Sequence, residues 1–85
     1  MKTNDYYTRQ MFPNGYGLSI ISHSFSYGGR DGLFEVALLD DKGELHYDST
    51  LGFNDVIGHL TFKQVAELIE KVSAFSPLQV EANLI

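Results

Sequence analysis

The sequence predicts an α+β domain: a three- to four-stranded antiparallel sheet with one amphipathic C-terminal helix packed on one face, in the order βββα. Three observations lead there. Alternating apolar residues from Tyr16 to Phe25 give way to a denser apolar run from Leu33 to Leu39. Asp40-Asp41-Lys42-Gly43 then forms a short polar turn of the kind that joins antiparallel neighbours. Only from Thr61 onward does the apolar period become helical.

The bulk properties bound this reading. A chain of 85 residues is one domain, because two cores would each be too small to hold together. With 44% hydrophobic and 13% aromatic residues it has the material for a core, which argues against disorder. The absence of cysteine rules out disulfides and thiolate metal sites, and it suits a reducing compartment. The first seven residues hold no apolar run that would make a signal peptide. No apolar stretch nears the roughly 20 residues of a membrane span, so a soluble, cytoplasmic protein without membrane partners is expected. A net charge of -5 works against binding phosphate backbones, so no direct nucleic-acid partner is expected. The same charge favours a basic protein partner, or simply solubility.

Within the single domain 1–85, residues 1–14 have no clear period and read as an N-terminal arm ending in the turn Pro13-Asn14-Gly15. Tyr6, Tyr7, Met11 and Phe12 either dock on the domain or form a contact surface. Residues 15–60 hold the sheet and its connections. In the first strand Tyr16, Leu18 and Ile20 share one face, and Ser19, Ile21, His23 and Phe25 the other. The second strand, apolar on both faces except for Glu35, belongs at the sheet centre. A third strand is expected over 44–48, with Leu45 and Tyr47 buried and Glu44, His46 and Asp48 outward. Residues 49–60 read as a connection that tucks Val56 and Ile57 into the core.

The helix is expected over 61–75. Thr61 and Gln64 make a capping box, and Leu60 with Val65 a hydrophobic staple. Phe62, Val65, Ala66, Ile69 and Val72 form its apolar stripe, and Pro77 stops it. The tail 76–85 either frays or adds a short edge strand. One helix covers one face of a sheet only. Arm, tail or a second subunit must cover the other, so a homo-oligomer, a dimer, is expected.

No constellation points to catalysis, a metal or a cofactor. His23, His46 and His59 lack ligand spacing. The serines have no nucleophile elbow, and of the carboxylates Glu35, Asp40, Asp41 and Glu44 two lie in a turn. A non-enzymatic protein is the expectation. The most informative stretch is Tyr27-Gly28-Gly29-Arg30-Asp31-Gly32, which lacks the spacing of a phosphate-binding loop. It reads either as a solvated loop or as a recognition loop, with Tyr16, Phe25, Tyr27, Arg30 and Asp31 as the contact residues.

Asn14-Gly15-Tyr16-Gly17, Ser26-Tyr27-Gly28-Gly29, Gly32-Leu33-Phe34-Glu35-Val36-Ala37 and Val56-Ile57-Gly58-His59-Leu60-Thr61 together give a pattern that resembles a group of small uncharacterised bacteriophage proteins. The resemblance spans about Asn14 to Phe75 and attaches no catalytic residue. It implies a protein that acts in the host cytoplasm by binding and inhibiting a host protein, including components of CRISPR-type defence. The alternative expectation is an oligomer that binds or sequesters a small, nucleotide-like ligand at Tyr27 to Arg30.

Overall fold

The computed structural model describes residues 5–78. Four strands, β1 (Tyr6–Met11), β2 (Gly17–Ser22), β3 (Phe34–Leu39) and β4 (Ile57–Leu60), form an antiparallel meander in chain order, followed by the helix α1 (Phe62–Ser73). The α+β architecture is therefore the one read from the sequence. Its strands are partly different ones.

The arm is a strand. Tyr6 to Met11 pair residue for residue with Ser22 to Gly17, and Phe12 to Gly15 closes the hairpin through the expected turn. The segment hid its nature because β1 is an edge strand exposed on both faces, so no apolar alternation marks it. Asn14 does more than turn the chain. Its Nδ2 donates to the carbonyls of Val72 (2.8 Å), which also accepts from the Phe75 amide, and of Phe75 (3.2 Å), tying the hairpin to the end of α1. The expected edge strand in the tail lies beyond Leu78, outside the described residues.

The strand expected over 44–48 is not formed, and its facing is reversed. Asp40 accepts from the amides of Lys42 and Glu44 (both 2.9 Å), which closes a tight turn with Gly43 at φ 79°. The chain then makes one bridge, Leu39 to Leu45. Opposed residues share a face, so Leu45 follows Leu39 onto the side away from α1 and is exposed, as is Tyr47. His46 turns the other way and meets the ring of Tyr16 edge-on at 5.9 Å. Asp48 next caps a short 3-10 turn, Ser49–Leu51, and Gly52 at φ 86° redirects the chain inward. That places Phe53 in the core at 1% exposure, in the role expected of Leu45 and Tyr47. The remainder of the connection supplies β4, with Ile57 packed against the core.

The core lies between the sheet and α1. Leu18, Ile20, Val36 and Leu38 from the central strands meet Phe53, Leu60, Val65 and Val72. The capping box is present in full, with Thr61 Oγ1 accepting from the Gln64 amide (3.2 Å) and Gln64 Oε1 from the Thr61 amide (2.8 Å). Leu60 and Val65 are both buried, as a staple requires. Phe62 and Ala66 depart from the expected stripe: Phe62 is 76% exposed and Ala66 is also exposed, because α1 packs over β2, β3 and β4 rather than β1. The opposite sheet face is covered in part by β1 itself. Met11 lies against Gly17, and Arg9 Nη1 crosses two strands to donate to the Gly43 carbonyl at 3.0 Å. Ala37 and Leu39 are buried on that face.

Candidate functional site

The loop joining β2 to β3 is tightly built. Ser26 folds it on itself: its Oγ accepts from the His23 amide and donates to the His23 carbonyl, each at 2.9 Å. Gly28 and Gly32, at φ 91° and 75°, bracket a 3-10 turn over Gly29–Asp31. Both need the left-handed conformation that glycine adopts without strain. Gly29 is buried, with the His23 carbonyl where any side chain would begin. At the far end Leu33 donates to the Gly28 carbonyl (2.9 Å), and Ser22 Oγ donates to the Leu33 carbonyl (2.8 Å).

Tyr27 is held from two strands. Its amide donates to Glu35 Oε1 on β3 at 2.9 Å, and its carbonyl accepts from the His59 amide on β4 at 3.0 Å. Gly58 makes room for the Tyr27 Cβ, and His59 sits at φ 56°, a conformation uncommon outside glycine. Fixing the backbone in this way leaves the side chain outward, and Tyr27 is 61% exposed. Phe25 is 84% exposed, with its amide donating to His23 Nδ1 at 3.1 Å. That bond assigns the ring proton of neutral His23 to Nε2.

The site residues expected from the sequence are not all brought together. Phe25, Tyr27, Arg30 and Asp31 are exposed on the one loop, where Arg30 Nε donates to the Ser24 carbonyl at 3.2 Å. Tyr16 is a core residue at 7% exposure, packed edge-on against Phe75 at 5.4 Å, and it belongs to no accessible surface. The strand alternation that grouped it with Leu18 and Ile20 already held that answer. The structure adds Tyr7 and His23, stacked at 5.3 Å with 21° between their planes, and His23 leads on to Phe25 at 6.5 Å. In the sequence Tyr7 is one of four arm residues that either dock on the domain or form a contact surface; its partnership with His23 depends on β1 being a strand. Beside Tyr7 a shallow depression of about 380 Å³ runs along Arg9, Ser19 and Ile21.

The titratable groups are dispersed. Among the described residues no three His, Asp or Glu side chains converge as metal ligands would. His46 Nε2 stands 4.0 Å from Asp48 Oδ2. The Asp40 carboxyl is held below its ordinary pKa, chiefly by the Glu44 amide that it accepts from. Asp48 is lowered chiefly by the Thr50 hydroxyl. Both are half-exposed turn formers.

No family model, curated protein or solved structure matches the chain. Asn14 to Gly17 tie the first hairpin to the end of α1, Ser26 to Gly29 shape the loop, and Gly58 to Thr61 anchor Tyr27 and open the helix. No described helix is long and apolar enough to cross a membrane.

Proposed function

We propose that the chain is a non-enzymatic, phage-type protein that binds and inhibits a host protein, a defence component being the partner class, and that Phe25 and Tyr27 make the central contacts. One observation carries this reading. Two large aromatic side chains are held outward on a loop whose backbone is fixed at His23, Glu35 and His59. Rigid, exposed aromatics lose little entropy on binding and supply the buried anchors that dominate protein interfaces. The acidic balance of the chain suits a basic partner surface, and Asp31 is exposed on the same loop.

The nucleotide-like alternative finds less support in the same loop. A phosphate site needs backbone amides turned toward the ligand. Here the amides of His23, Phe25, Ser26, Tyr27, Gly29, Asp31, Gly32 and Leu33 are all engaged within the protein. Affinity capture from bacterial lysate, run beside a thermal-shift panel of nucleotides, tests the reading. A specifically retained protein and an unmoved melting temperature are expected. A nucleotide that raises the melting temperature without any retained protein would overturn it.

A further inference from the structure

The strongest unexplained feature lies away from the loop, at the outer edge of β1. The two sheet edges differ. β4 is four residues long, its register with β3 shifts between Phe34 and Val36, and His59 breaks its extended conformation. These features blunt an edge against further pairing. β1 has none of them: six residues in unbroken register, without proline, glycine or lysine, and with no strand beyond it among the described residues. The bond from the Phe12 amide to the Tyr16 carbonyl (2.8 Å) fixes the phase of the ladder. Even-numbered residues of β1 bond to β2, so Tyr7, Arg9 and Met11 direct their amides and carbonyls outward.

The helix side of this edge is also unfinished. A trough of about 190 Å³ lies between β1 and α1, lined by Tyr6, Thr8, Phe34, Phe62 and Ile69. Ala66, exposed on α1, extends that flank without adding charge.

We propose that β1 pairs with β1 of a second copy of this chain, antiparallel about a two-fold axis at Thr8. With the axis at Thr8 the edge is self-complementary and every residue from Asp5 to Met11 is paired, whereas an axis at Tyr7 sets Asp5 directly opposite Arg9 but pairs only Asp5 to Arg9. A two-fold axis perpendicular to the sheet keeps both helices on one side, so facing residues must have like parity. Placing Thr8 opposite Thr8 sets Tyr7 against Arg9 in two hydrogen-bonded pairs, where the guanidinium meets the ring on swinging away from the Gly43 carbonyl of its own chain. Alternation puts Asp5 on the Arg9 face, diagonal to Arg9 of the other copy, so opposite charges meet twice. Moving the axis by one residue, to Arg9, would bring the two arginines together. The resulting eight-stranded sheet joins the two troughs, with Tyr6 and Phe62 of both copies flanking the axis. This edge adjoins the Phe25 and Tyr27 loop through the Tyr7–His23 stack, but it needs no host protein, so the inference does not rest on the host-protein reading.

A cysteine-free chain allows a clean test. Facing residues in a non-hydrogen-bonded pair are about 4.5 Å apart at Cα, within disulfide reach. Thr8→Cys is expected to form a covalent dimer with oxidised glutathione, and Tyr27→Cys to form little of that cross-link. Native mass spectrometry and sedimentation of the wild-type chain are expected to give a dimer. Arg9→Glu should weaken it by at least about tenfold, and Asp5→Arg in the same chain should restore it. A wild-type chain that sediments as a folded monomer at about 100 μM, or cross-links no faster at Thr8→Cys than at Tyr27→Cys, overturns the proposal. So does a dimer that Arg9→Glu leaves unchanged.

Discussion

Tyr27 is set by what its neighbours leave out as much as by what they donate. Glu35 and His59 take its amide and carbonyl, and Gly58 gives up its side chain to let the Tyr27 Cβ lie close. Gly58→Ala puts a methyl where that Cβ already stands, so one of the two must move. A loss of about 1–3 kcal/mol is expected, the range for overpacking at a tight contact, measured by denaturant titration. The Tyr27 and Phe25 resonances should shift with it. The acidic residues act on a smaller scale. Asp40 and Asp48 bind protons less readily when folded than unfolded, so their contribution is full above about pH 4 and fades as pH falls through their lowered values. Denaturation midpoints are expected to drop on acidification below about pH 4, and less so in Asp40→Asn. A midpoint indifferent to pH over that window would show that these turns make no contribution through their charge.

Among the elements, α1 was the most legible. Its cap and staple follow from local sequence, since each depends on residues within four places of one another, and so do the core-facing Val65, Ile69 and Val72, whereas Phe62 and Ala66 of the same expected stripe are exposed. Thr61→Ala removes the hydroxyl that accepts from Gln64 and should cost about 1 kcal/mol, read as a lowered melting temperature. β2 and β3 were legible for a related reason, because central strands carry their burial pattern in their own residues. β1 was not. An edge strand exposed on both sides has no alternation to display, and its pairing with β2 is tertiary information. The reversal at Leu45 and Tyr47 has a different origin. No strand forms there, and the side that Leu45 takes was decided by the single Leu39 bridge, which no local pattern reveals. The candidate site divided in the same way. Phe25, Tyr27, Arg30 and Asp31 could be found because glycines mark their loop, whereas the Tyr7–His23 stack required the fold. Of those positions Tyr16 alone went to the core.

At the scale of the whole molecule, one helix and four strands leave little reserve. Domains of this size bury a modest share of their surface, so each core side chain matters. Phe53 is the most telling. It comes from a loop, yet it is among the most buried side chains, and Phe53→Ala should cost about 3–5 kcal/mol, enough to unfold a large fraction of the population. Loss of cooperative melting by circular dichroism would register it; a melt within a degree or two of wild type would mean that the core closes without it. Against that thin margin, the protein holds two aromatic side chains in water on a loop fixed by hydrogen bonds on several sides. Removing them should do the fold little harm and the function a great deal.

The most direct test is therefore a comparison of lysate proteins captured on the immobilised wild-type chain and on a Phe25→Ala, Tyr27→Ala variant with an unchanged melting temperature. The expected result is a specific host protein retained by the wild type and lost, by at least about tenfold, from the variant. The same proteins retained equally by both, or none retained by the wild type, would contradict the account.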